Sequence, residues 1–143
     1  MTERPTTLLG FDYGKKAIGV AVGQTLTATA TPLGSVRVQG TKPEWSSISQ
    51  LIKVWEPDAL VVGIPLNMDG TEQPTTHSAR CFKRELERRF HLPVYIADER
   101  LSTREARQRL GRRGQMQADD DPVAAQIILE TWFSDPLGVS LSA

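Results

Sequence analysis

The run ALVVGIP, residues 59–65, is continuously apolar and is closed by glycine and proline. A strand that alternates apolar with polar residues can leave one face in water. A strand without alternation must be covered on both faces. LPVYIAD, residues 92–98, reads the same way. Helical patterns precede both runs. Ile48, Leu51, Ile52 and Trp55 fall at i, i+3, i+4 and i+7, one helical face, before EPD stops the helix. The next helix is predicted from about Thr75 to Phe90, with Ala79, Phe82, Leu86 and Phe90 toward the core. Strands alternating with helices give parallel pairing and helical layers on the sheet.

The chain begins differently. Residues 7–12 and 17–22 are short apolar runs joined by DYGKK, which predicts a β-hairpin. TATATPLGSVRV, residues 27–38, continues the meander as a third strand before GTKPEW breaks it. Beyond residue 98, LSTREARQRLGRRG reads as a helix, with Ser102 and Glu105 spaced as a capping box. DPVAAQIILETWF closes the pattern as an apolar helix with Ala125, Ile128, Leu129 and Trp132 on its buried face. The expected order is β-β-β-α-β-α-β-α-α. It forms an α/β, five-stranded mixed sheet, three antiparallel strands then two parallel, with helices on both faces. One domain over residues 1–143 is expected, its core at about 7–133 and its termini frayed.

Lys plus Arg and Asp plus Glu both total 17, so bulk charge argues neither for nor against nucleic acid. Cys81 is the only cysteine, which excludes an internal disulfide and fits a reducing cytoplasm. MTERPTTLLG lacks the apolar stretch of a signal peptide, and no run approaches the roughly 20 residues of a membrane span. A cytoplasmic protein with no membrane contact is the expectation.

Asp12 is the anomaly of the first hairpin, an acid between two strand-like runs. A buried, unpaired carboxylate costs several kcal/mol or more, so it must be neutralised, solvated or used. Asp98 and Glu99 end the last strand, and Asp119, Asp120 and Asp121 open the last helix. Carboxyl ends of strands are the usual sites of function in α/β sheets. Three acidic positions far apart in sequence therefore suggest one cluster, and clustered carboxylates repel unless a cation cancels them. Mg²⁺ suits such oxygen donors, and two ions about 4 Å apart can activate water and stabilise the leaving oxygen in phosphodiester cleavage. Each acid also has a plainer role. Asp12 can cap the turn at Gly14, Glu99 can pair with Arg100, Arg104 or Lys15, and Asp121 before Pro122 can cap its helix. Alternation puts Asp98 and Glu99 on opposite faces without saying which is functional.

Arginines concentrate from Arg100 to Arg113, including Arg104 and Arg107, just past Glu99. Guanidinium suits phosphate by charge and by fork geometry, although a solvated helix face explains many charge runs. GRRGQMQADD has two glycines and no apolar periodicity, as in a flap over a substrate. His77 and Cys81 lie four apart on a predicted helix, but no third group orients them as a nucleophilic pair. The chain holds too few Cys and His for a zinc site. GIPLNMDG has no G-K-[ST] end and is not a P-loop, though Asn67 could contact a substrate.

The blocks FDYGKKAIGVAVG, VVGIPLNMDGTEQ, DERLSTREA and DPVAAQIILE resemble the signature blocks of the YqgF family. The resemblance covers residue 7 to about 133 and implies an RNase H-like fold. Members are described as pre-16S rRNA nucleases and, by analogy with RuvC-type enzymes, as Holliday junction resolvases. The family's acidic triad falls on Asp12, Glu99 and Asp121, with Mg²⁺ or Mn²⁺ as the implied ion. Lys15, Asn67, Arg100, Arg104 and Arg107 are then the expected contacts to nucleic acid. Similar proteins often carry Lys two residues before the third acid and Ser after it. Here Asp119 and Pro122 stand there, which leaves Asp119 and Asp120 as rivals for the third ligand.

The expectation is a metal-dependent endonuclease processing the 5′ end of precursor 16S rRNA. One alternative is a resolvase of four-way DNA junctions, which usually works as a dimer; Trp132 and Phe133 could supply a seam, and either a monomer or a homodimer is compatible with the sequence. Another is a nucleic-acid-binding protein that has kept the fold without cleavage. An actin-like ATPase needs two related domains, more than 143 residues provide.

Overall fold

Strand β1 (Thr7–Tyr13) is bonded along both edges, antiparallel to β2 (Ala17–Gln24) and parallel to β5 (Ala59–Ile64). The computed structural model describes residues 6–14, 16–40, 42–65, 69–98 and 120–134. Outward from β2 lie β3 (Thr29–Gln39) and β4 (Lys42–Pro43), both antiparallel to their neighbours. Beyond β5 lies β6 (Val94–Asp98), parallel to it. The sheet order is β4-β3-β2-β1-β5-β6.

The sheet thus has six strands where the sequence predicts five. The extra one is β4, two residues that pair with Val38 and Gln39 of β3. So short an element leaves no alternation to read. Pro43 has no N–H to donate, which confines it to an edge of this kind. Pro32 and Gly34 are accommodated inside β3 by a bulge: Val20 pairs with Gly34 and Ala21 with Pro32, and Gly34 takes the positive φ of 148°.

Side-chain parity sorts the core into two layers. Leu9, Phe11 and Tyr13 of β1, Leu60, Val62 and Ile64 of β5, and Val94 of β6 face one way. They meet α1 (Trp45–Trp55) through Ile48 and α2 (Pro74–Phe90) through Ala79, Phe82 and Leu86. Both parallel connections step in the same direction along the sheet. Right-handed crossovers then put α1 and α2 on the same side. Phe90, Leu51 and Ile52 pack at the margin of this layer, while Trp55, in the last turn of α1, is 38% exposed.

The other face belongs to α3 (Asp120–Ser134). Ala125, Ile128, Leu129 and Trp132 are all buried, as their spacing predicts, and meet Leu8, Ala21, Ala59 and Val61. The Trp132 ring lies 5.5 Å from that of Tyr95, tilted by 42°, and Phe133 packs on the same layer, so both rings are engaged within this chain. The expected helix after Ser102 and the frayed terminus lie outside the described residues.

Contact between α3 and the sheet depends on two glycines. A Cβ on Gly10 would stand 2.6 Å from Leu129 Cγ, and one on Gly23 would stand 2.8 Å from the Phe133 ring. Bare backbone at these points lets large side chains settle directly on β1 and β2. Gly10→Ala is predicted to destabilise the fold by about 1–3 kcal/mol through overpacking. Urea unfolding measures this. Most of the loss should vanish in a Leu129→Ala background, because the clash partner is gone; an equal loss in both backgrounds would contradict the packing described.

Candidate metal and nucleic-acid site

Asp12 is the penultimate residue of β1, half-buried at the carboxyl end of the central strand. Its even position puts it on the face of Leu8, the face that α3 covers. Across the sheet it pairs with Gly19 of β2 and Gly63 of β5. Neither register neighbour has a side chain. The space beside the carboxylate on that face is therefore not filled from either adjacent strand. Gly63 is in turn paired with Ala97 of β6. Asp12, Gly63 and Ala97 form a row across three parallel carboxyl ends, where α/β sheets open for ligands.

Of the expected acidic triad and the expected nucleic-acid contacts, the structure describes two residues, Asp12 and Asp121. Asp12 lies as stated and makes an interaction within the chain. Asp121 is the second residue of α3, so its backbone belongs to the helix on the Asp12 face. Glu99, Lys15, Asn67, Arg100, Arg104 and Arg107 lie outside the described residues, as does Asp119. Among the described residues no group of three or more His, Cys, Asp or Glu is placed to hold a metal ion. Asp12 and its two glycine register neighbours lie within the described residues, and a carboxylate is the donor type that a hard divalent ion takes.

The ends of β1 and β5 are held by polar contacts that pattern reading does not reveal. At the far end, Asp58 Oδ2 accepts the backbone N–H groups of Thr6 and Thr7, both at 3.0 Å. At the site end, the fully buried Thr76 donates its hydroxyl to the carbonyl of Pro65 and accepts the N–H of Gln73 at 2.9 Å. One hydroxyl thus ties the exit of β5, just past Gly63, to the start of α2, where Pro74 fits the first helical turn.

On the opposite face, Tyr13 packs at 5.4 Å from Phe82. Burial, helped by the neighbouring Cys81 thiol, raises the Tyr13 pKa above its usual value, so its phenol stays protonated at neutral pH. Cys81 Sγ lies 3.5 Å from His77 Nε2, the adjacency expected from their helical spacing.

A six-stranded mixed sheet with helices on both faces defines an α/β fold of the RNase H-like class. Two solved chains share it at low sequence identity. One is described as T. thermophilus RuvC in complex with Holliday junction substrate (TM-score 0.55, 17% identity, 93% of this chain and 96% of that one). The other is the Thermus thermophilus RuvC structure (TM-score 0.54, 15% identity, 93% of this chain and 97% of that one). The chain belongs to the family described as RuvX: Holliday junction resolvase, whose model matches residues 6–135. The resemblance to the YqgF family drawn from the signature blocks is borne out. Curated relatives named "Putative pre-16S rRNA nuclease" are 51% identical over 136 residues in Aeromonas salmonicida (92% of this chain, 97% of the relative) and 47% identical over 136 residues in Shewanella oneidensis (92% and 96%).

Thr76→Val keeps the shape of the side chain and removes the hydroxyl that links β5 to α2. It is predicted to cost about 1–3 kcal/mol by leaving part-buried backbone groups of Pro65 and Gln73 without this partner, read as a lower urea midpoint. An unchanged midpoint would show that the tie contributes nothing.

Proposed function

We propose that this chain is a metal-dependent endonuclease that cuts precursor 16S rRNA near its 5′ end, with Asp12 as the central metal ligand. The observation that carries the reading is the position of Asp12: an acid at the carboxyl end of the central strand, flanked in register by Gly19 and Gly63. Membership of a nuclease family supplies the reaction class, hydrolysis of phosphodiester bonds in nucleic acid. The names of the relatives supply the substrate.

Glu99 and Asp121 are the proposed partners of Asp12. Tyr95 and Ala97 of β6 pack in the α3 layer, while Val94 and Ile96 pack in the other. The next position of the Ala97 parity is 99, which supports Glu99 over Asp98. Two strand spacings, about 10 Å, separate β6 from β1, a gap that acidic side chains and bound ions can bridge. Asp121 is favoured by its place in α3, four residues before the buried Ala125. Asp12, Glu99 and Asp121 would hold a divalent ion, which would supply charge neutralisation and make a water easier to deprotonate for attack on phosphorus. Lys15, Arg100, Arg104 and Arg107 hold the phosphate backbone in this reading, and Asn67 contacts the substrate from the loop after β5. Junction DNA is the alternative substrate, in keeping with the family description.

The test uses pure protein with precursor rRNA and with a synthetic four-way DNA junction, each with and without Mg²⁺. Cleavage of the RNA near its 5′ end, dependent on Mg²⁺, is the expected result. Cleavage of the junction alone would transfer the assignment to DNA. Asp12→Asn should lower cleavage by about 10²-fold or more, while its melting temperature stays level or rises slightly as carboxylate repulsion is relieved. Wild-type activity in this variant would remove Asp12 from the mechanism.

A further inference from the structure

The far side of the sheet end holds a cleft that the proposed chemistry does not use. Its volume is ≈ 370 Å³, enough for a small planar ligand. Tyr13, Trp45 and Phe82 are its aromatic walls, and Ser78, Cys81 and Lys42 add polar groups. Trp45 and Phe82 stack on each other with centroids 5.5 Å apart and an interplanar angle of 28°. Arg89 lies 4.2 Å over the Trp45 ring, placing a cation beside the aromatic wall.

Location argues for what this cleft takes. Tyr13 directly follows Asp12 in β1, so their Cα atoms are about 3.8 Å apart while their side chains leave opposite faces of the sheet. The end of β3 and all of β4, which bring Lys42 and Pro43 to the cleft, lie at this same end: Tyr13 pairs with Ile18, and Ile18 with Val36. A strand of nucleic acid crossing the sheet end at Asp12 therefore has an aromatic slot on its other side. Aromatic walls accept any base face, and cations at the rim suit the backbone. Metal binding is a poorer use of the cleft. Glu85, one helical turn beyond Cys81, is tied to Arg88 at 2.8 Å and Arg89 at 3.1 Å, and the hydrogen bond from Arg88 holds its carboxyl below the usual range.

We propose that the cleft binds one unpaired nucleobase of the strand being cut, packed against the Trp45–Phe82 wall, while a neighbouring phosphate lies at Asp12. This rests on the nuclease reading and adds to it a requirement for a base that can leave its helix. The hydroxyls of Tyr13 and Ser78 line the cleft and suit the polar edge of that base.

Cys81, the only cysteine in the chain, provides the probe. Wild-type protein without divalent metal is treated with N-ethylmaleimide alone, with a single-stranded RNA, and with an RNA of the same length made abasic at its central positions. Fluorescence anisotropy records binding of each RNA in parallel. The intact RNA should slow alkylation of Cys81 at least about fivefold, and the abasic RNA should protect it far less. Ser78→Trp, which fills the cleft, should weaken binding of the intact RNA by about tenfold, the scale of one lost base stack, with its circular dichroism unchanged. Bound RNA that leaves Cys81 equally reactive, or abasic RNA that protects as well as intact RNA, overturns this inference alone. Absence of binding by either RNA overturns it together with the nuclease reading. The alkylation comparison uses wild-type protein, so it stands even if the tryptophan variant does not fold.

Discussion

Strand β1 is bonded on both edges and covered on both faces, and the rest of the molecule takes its position from it. Its hydrogen bonds run antiparallel to β2 and parallel to β5, so the meander and the α/β units join along this one strand. Its odd residues enter the α1 and α2 layer, and Leu8 enters the α3 layer. A strand fixed in this way has little freedom at its end. That is what a carboxylate needs if it is to present oxygen at a defined point rather than sweep through solvent.

The same parity separates two kinds of surface at one end of the sheet. On the α3 face, glycines flank Asp12 in register and add no side chain beside it. On the other face, Tyr13 begins an aromatic wall that continues into Phe82 and Trp45. Charge chemistry and base stacking need opposite environments, one hydrated and ion-rich, the other apolar. In the proposed reading, the consecutive residues Asp12 and Tyr13 serve the two on opposite faces of one strand.

Much of this was legible in the sequence because its causes are local. ALVVGIP could be nothing but covered on both faces, and β5 is buried at every position. Ala125, Ile128, Leu129 and Trp132 shared a helical face, and all four are buried. Non-local features were hidden. The roles of Gly10 and Gly23 emerge only when Leu129 and Phe133 arrive from more than a hundred residues away. β4 has too few residues to carry a pattern. The Thr76 tie to Pro65 joins a helix start to a strand exit through one hydroxyl, and no periodicity signals it. Of the expected site, Asp12 stood out because an acid between apolar runs has to be explained. Sequence alternation separated Asp98 from Glu99 but could not rank them. Tyr95 and Ala97 pack in the α3 layer, and Glu99 lies outside the described residues.

The proposed divalent ion lies at the carboxyl end of β1 on the α3 face. Paramagnetic broadening by Mn²⁺ in an amide-resolved NMR spectrum tests it most directly, since broadening reports distance from the ion itself. Substoichiometric Mn²⁺ is expected to erase the amide signals of Gly19 and Gly63 while those of Leu8 and Ala59, at the opposite ends of β1 and β5, persist. Broadening centred at the opposite end, or none at millimolar Mn²⁺, would contradict it.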